Sequence, residues 1–217
     1  MAKKLVMFDM DGVLFDSMPG HAKAWAEMMK SENIDISEIV VFEKEGMTGP
    51  AFIKEVLGEA GEERYPELYK KKAAIFESYP PAPPMPGALE AVRTVNECGA
   101  SAIVVTGSGQ KHLMARIDEF YPDLFKTEWM VSALDVKNGK PAPDPYLAGL
   151  RKAGVEAGDA IVIENAPLGV RSGKAAGCYT VAVNTGPLPD SVLLAEGADM
   201  LFHSMKELAD NLKLILR

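Results

Sequence analysis

Short apolar runs recur along the chain, and each of the strongest is closed by a polar or glycine-bearing cluster. The first, Lys4-Leu5-Val6-Met7-Phe8, stops at Asp9-Met10-Asp11-Gly12. Ala102-Ile103-Val104-Val105, Ala160-Ile161-Val162-Ile163 and Tyr179-Thr180-Val181-Ala182-Val183 follow. Continuous apolar runs of this length, without polar alternation, predict strands buried on both faces of a parallel sheet. Trp129-Met130-Val131 and Met200-Leu201-Phe202 are weaker strand candidates. Helical spacing separates them. Leu89, Val92 and Val95 follow Pro86 and stop at Gly99; Leu113, Ile117 and Phe120 form a second stripe; Met205, Leu208, Ala209, Leu212 and Ile215 form the last, with Ser204 as its N-cap. Strand–helix alternation from residue 86 onward predicts a parallel sheet with helices on both faces.

Residues 17 to about 79 break this rhythm. They carry helical patterns at His21–Lys30, Ala51–Leu57 and Leu68–Phe76, and no strand. The block closes on Pro80-Pro81-Ala82-Pro83-Pro84-Met85-Pro86, which should be stiff and extended. The pattern predicts an α/β fold, with a Rossmann-like core over 1–16 and 84–217 and an inserted helical domain over 17–83, its proline-rich end serving as a hinge.

Composition narrows the function. Lys and Arg number 23 against 31 Asp and Glu, a net charge of −8. Such a chain lacks the electrostatic footprint of a nucleic-acid or anionic-membrane binder, and an anionic substrate would need local cations or a metal ion. Cys98 and Cys178 form neither a disulfide framework nor a CxxC metal pattern. The run after Lys3 and Lys4 is stopped by Asp9, short of the about 7–15 residues of a signal-peptide core, and no run approaches the ~18 of a membrane span. The expectation is a cytoplasmic protein.

Ligands of a parallel α/β sheet bind at the C-terminal strand ends. Four clusters are expected there: Asp9-Met10-Asp11-Gly12-Val13, Thr106-Gly107-Ser108-Gly109, Lys137-Asn138-Gly139-Lys140-Pro141 after Trp129–Val131, and Glu164-Asn165-Ala166-Pro167. The Asp9 loop is not an EF-hand, because its glycine is misplaced and its twelfth residue is Gly20. Gly107-Ser108-Gly109 lacks the third glycine of a dinucleotide fingerprint, that place being His112, and Gly139-Lys140 lacks the Ser or Thr of a Walker loop. The set suits phosphoryl transfer instead. Asp9 and Asp11 point to one side if the strand continues, so one can be a nucleophile and the other an acid/base. Thr106, Ser108 and the glycine loop offer donors for phosphate oxygens, Lys140 a fixed positive charge, and Glu164, Asn165 and Asp9 hard oxygens for Mg²⁺.

These four blocks in this order resemble the haloacid dehalogenase superfamily of phosphotransferases over the whole chain. The insertion after the first motif is similar to the helical cap of the β-phosphoglucomutase-like subfamily. The resemblance implies that Asp9 is the nucleophile, that Asp11 is the general acid/base and binds Mg²⁺ through its carbonyl, and that Thr106 and Lys140 hold the transferring phosphoryl group. It also places His21 near the acid/base, as in the mutases, so that His21 joins Ser108 and Gly107 as an expected substrate-binding residue. Two departures stand out. Asn165 replaces an acid of the last motif. Lys44-Glu45-Gly46-Met47-Thr48-Gly49 carries Glu45 and Gly49 where sugar-phosphate mutases hold the distal phosphate with Lys and Arg. This combination most resembles the inorganic pyrophosphatases of the subfamily, in which a cap glutamate completes the Mg²⁺ shell. The expectation is a Mg²⁺-dependent pyrophosphatase, with β-phosphoglucomutase or a small sugar-phosphate phosphatase as alternatives. Its partner is then a small phosphorylated substrate, pyrophosphate or a sugar phosphate, and no obligate protein partner is implied.

Overall fold

The computed structural model describes residues 2–108 and 113–217. Five strands, β1 (Leu5–Phe8), β2 (Ser101–Val104), β3 (Ala160–Glu164), β4 (Tyr179–Val183) and β5 (Met200–Phe202), form a parallel sheet in the order β2-β1-β3-β4-β5. Leu5 lies opposite Ser101 on one side and Ala160 on the other. The chain crosses from one side of β1 to the other after β2, so the strand order reverses at β1 and β3. That reversal opens a crevice at their C-terminal ends.

Eleven helices accompany the sheet among the described residues: α1 (Met18–Ser31), α2 (Glu38–Glu43), α3 (Gly49–Leu57), α4 (Glu59–Glu63), α5 (Tyr65–Glu77), α6 (Ala88–Glu97), α7 (Leu113–Phe120), α8 (Asp144–Ala153), α9 (Pro167–Ala175), α10 (Asp190–Ala195) and α11 (Met205–Ile215). Val6, Phe8, Val104 and Ile163 face α6 and α11, where Val92, Val95, Leu208 and Leu212 meet them. Leu5, Met7, Ile103 and Val162 face α8 and its Tyr146 and Leu150. Because both faces are covered, successive residues are equally apolar, which is why the strands read as continuous runs. None of these helices is long and apolar enough to cross a membrane.

Helices α1 to α5 surround an apolar cluster of their own, including Trp25, Met28, Phe42, Phe52, Ile53 and Leu68, joined by Leu188 from beyond β4. The chain enters and leaves this helical block side by side. Asp16 N–H donates to the Pro83 carbonyl at 3.0 Å and Met85 N–H to Leu14 at 2.8 Å, so the proline-rich stretch runs antiparallel to residues 14–16.

Two expectations are corrected here. Trp129–Val131 is no strand: Thr127–Trp129 form a 3₁₀ turn, and only Val131 pairs, with Val105, in a single bridge. Three residues leaving a 3₁₀ turn are too few to extend a ladder. Lys140 therefore sits in a loop leading into α8, not at a strand end. Helices α2, α4, α8 and α10, with few turns or many small and polar residues, left no stripe clear enough to read. Gly109, Gln110 and His112 lie outside the described residues, as does the side chain of Leu113.

Candidate active site

Asp9 leaves the end of β1 with its N–H held by the Ile163 carbonyl of β3 at 3.0 Å. Its Oδ1 accepts a 2.5 Å hydrogen bond from Lys140 Nζ, which also donates to Glu164 Oε1 at 2.6 Å and to the Val105 carbonyl at 3.3 Å. All three ammonium donors are thus directed. Glu164 is fully buried at the end of β3, and its Oε2 accepts from the N–H groups of Asn165 and Ala166 at 3.0 and 3.1 Å. Burial pushes Asp9 up to about 7 against the pull of Lys140, with Glu164 and Asp11 adding to the rise. Burial works against the Lys140 charge, but Asp9 and Glu164 outweigh it and keep the ammonium protonated.

Asp11 has the opposite environment. Its Oδ1 accepts from Ser17 Oγ at 2.5 Å and lies 3.4 Å from His21 Nε2. Burial alone would raise its pKa, but His21, the Ser17 hydroxyl and Lys72 hold it at about 2. His21 stacks on Phe76, with 3.9 Å between ring centroids, and its Nδ1 is 2.7 Å from Lys72 Nζ. A lysine ammonium only donates, so Nδ1 accepts and Nε2–H faces Asp11. Burial lowers the His21 pKa against the pull of Asp11, and the nearby Lys72 charge adds to the lowering. Lys72 itself is buried between the Trp25 and Phe76 rings, and burial brings its pKa down to about 8.

Glu45 follows α2 and reaches back to the sheet, where its Oε1 accepts from Asn165 Nδ2 at 2.8 Å. Burial pushes its pKa well above the carboxylate range; Asn165 opposes this, and Asp9, Glu164 and Asp11 add to it. Thr106 is buried, and its Oγ1 accepts from Ser108 N–H at 3.0 Å, which shapes the loop over the site. Asp9, Asp11, His21, Glu45, Gly107 and Ser108 line one cavity of about 110 Å³. Thr106, Lys140, Glu164 and Asn165 stand behind it, so the ten residues expected from the sequence gather in one place.

Four residues at the site carry no role in the sequence expectations. Ser17 fixes Asp11, and Tyr146 Oη donates to Glu164 Oε1 at 2.8 Å. Lys72 and Lys44 both line the cavity, so the helical block brings cations to the site although Glu45 and Gly49 replace the Lys and Arg of the mutases. A signal for Lys72 existed: it falls on the stripe of Leu68 and Phe76, where a lysine is out of place.

Among the described residues, no three acidic, histidine or cysteine side chains form a metal cage by themselves. The available donor set is mixed. Asn165 Oδ1 is buried and has no hydrogen-bond partner among the described residues, while Nδ2 of the same amide donates to Glu45. Such an acceptor costs about 1–3 kcal/mol unless something satisfies it. A hard divalent cation such as Mg²⁺ would do so, with oxygen ligands of the type it prefers.

A family model described as haloacid dehalogenase-like hydrolase matches residues 3–177. A solved structure from Bacteroides vulgatus, provisionally described as a beta-phosphoglucomutase, is 46% identical, with a TM-score of 0.93 over 98% of this chain and 88% of its own. Hexitol phosphatase A of Escherichia coli is 30% identical over 205 residues, 93% of this chain and 91% of its own length. Glycerol-1-phosphate phosphohydrolase 1 of Saccharomyces cerevisiae is 28% identical over 187 residues, 82% of this chain and 74% of its own.

Proposed function

The chain belongs to the haloacid dehalogenase-like hydrolase family, and on that premise we propose that it is a Mg²⁺-dependent phosphohydrolase whose leading substrate is inorganic pyrophosphate. The observation that carries the substrate is Glu45, seated 2.8 Å from Asn165 against a cavity of about 110 Å³. An acid at this place meets a phosphate through a metal ion rather than directly, which suits a small and strongly anionic diphosphate bound with Mg²⁺.

Asp9 attacks the nearer phosphorus, and inorganic phosphate leaves with the bridging oxygen. Lys140 offsets the charge that gathers at the phosphoryl group. Asp11, held ionised by Ser17, His21 and Lys72, then takes a proton from the water that attacks the aspartyl phosphate and frees Asp9. Asp9, Asn165 and Glu45 would hold the metal with Glu164 behind them; when bound, the metal supplies positive charge to the phosphate oxygens. Residues 17–83 act as a cap that closes over the site.

A second reading, a small sugar-phosphate phosphatase, draws on Lys72 and on the hexitol and glycerol phosphatases among the relatives. Lys72 could meet a distal polar group. The test is phosphate release from pyrophosphate and from hexitol, glycerol and glucose phosphates with Mg²⁺, comparing kcat/KM. Pyrophosphate should lead by at least about tenfold. A hexitol or glycerol phosphate in first place would favour the second reading, and interconversion of β-glucose 1-phosphate and glucose 6-phosphate would favour a mutase.

A further inference from the structure

Tyr146 lies on α8, fully buried beneath the sheet edge. Its hydroxyl makes one hydrogen bond among the described residues, to Glu164 Oε1 at 2.8 Å. The centroid of its ring is 5.3 Å from Lys140 Nζ. One side chain thus touches both members of the buried ion pair behind the nucleophile. We propose that Tyr146 is a positioning residue for catalysis, fixing Glu164 through its hydroxyl and Lys140 through its ring, an inference that rests on the phosphohydrolase reading above.

The bond count around Glu164 carries the argument. A carboxylate accepts about four hydrogen bonds in its plane. Oε1 receives Lys140 at 2.6 Å and Tyr146 at 2.8 Å, and Oε2 receives Asn165 N–H and Ala166 N–H. With every direction occupied, the carboxylate cannot turn. Lys140 therefore stays shared between Glu164 and Asp9, and the Asn165 backbone stays where its amide can meet Glu45. Without the hydroxyl, Oε1 is held by Lys140 alone. Glu164 can then rotate, draw the ammonium away from Asp9 and loosen the Asn165 turn. Packing does not require the hydroxyl, since a phenylalanine would fill the same space without burying a polar group.

The test separates hydroxyl from ring and uses Mg²⁺ itself as the probe. Calorimetry on the substrate-free protein should show Mg²⁺ affinity falling about tenfold in Tyr146→Phe, and further in Tyr146→Leu, which loses the cation–π contact as well. With substrate, kcat of Tyr146→Phe should fall by a similar factor while KM stays within about twofold, the split expected when reacting groups are misplaced and substrate binding is intact. In a Glu164→Gln background, Tyr146→Phe should add less than about twofold to the loss of Mg²⁺ affinity, because the acid through which it acts is gone. A loss under about threefold in either readout, or one equally large in the Glu164→Gln background, overturns the assignment, as does a variant that only melts earlier. A parent that binds no Mg²⁺ and releases no phosphate would instead overturn the phosphohydrolase reading.

Discussion

Gly169, in the first turns of α9, has no room for a side chain: a Cβ there would overlap the Glu164 carboxylate. Gly12 has a similar constraint, with φ of +81° and the Asn165 amide where its Cβ would stand. Gly169→Ala should displace Glu164 from Lys140 and lower kcat by about tenfold or more, with the fold intact by circular dichroism. Asp9→Asn removes the nucleophile and keeps its shape, so kcat should drop by ~10³-fold or more, about 4 kcal/mol of barrier; a residual rate within tenfold of the parent would end the covalent mechanism. Lys72 gives a pH-dependent prediction. Its pKa of about 8 in the fold lies below the ordinary lysine value of 10.5, so the unfolded chain holds that proton more tightly. The buried charge therefore costs stability in full below about pH 8, and the cost is relieved as pH rises from about 8 toward 10.5. Lys72→Met should melt a few degrees higher than the parent at pH 7, with the gain shrinking toward zero near pH 10, as read by thermal melts across that range.

At the scale of elements, the segment between α2 and α3 carries Glu45 onto the sheet edge. Lys44 N–H closes α2 on the Val40 carbonyl at 3.1 Å and Glu45 N–H bonds Phe42 at 3.3 Å, so a short helix ends by aiming its next side chain at Asn165. Glu45→Ala should raise the Mg²⁺ requirement and lower pyrophosphate turnover by ~10²-fold, about 3 kcal/mol. A change under threefold would return Glu45 to a spectator. On the core side, Arg116 of α7 donates to the Ala82 carbonyl, and its guanidinium lies 4.1 Å from the centroid of Phe15. Residues 15 and 82, on the two segments that join the helical block to the core, are thereby tied to α7.

At the scale of the molecule, the contact between Glu45 and Asn165 joins the helical block to the sheet across the site. If the block closes as a unit about residues 14–17 and 80–86, a phosphate analogue with Mg²⁺ should shift the protein toward the compact form. Small-angle scattering should show a smaller radius of gyration with the analogue than without it in the parent, and a lesser change in Glu45→Ala. An unchanged radius in the parent would remove closure from the mechanism.

The sequence by itself determined the sheet and its chemistry-bearing edge. A strand buried on both faces must be apolar throughout, so β1 to β4 were plain, and the polar clusters after β1, β2 and β3 could stand only at their ends. Ser204 could be read as the cap of α11, and its hydroxyl accepts from Glu207 N–H at 3.1 Å. Only the tertiary structure decided which side chains converge. The place of Lys72 on its helix was visible, but that it meets His21 depends on how α1 packs against α5. Tyr146 reads as ordinary core until the sheet sets Glu164 above it. Trp129–Val131 had strand composition and no second ladder partner to make it a strand. Periodicity is fixed by a backbone that repeats over a few residues, whereas the meeting of residues 9, 45, 72, 146 and 165 is fixed by packing between elements far apart in the chain.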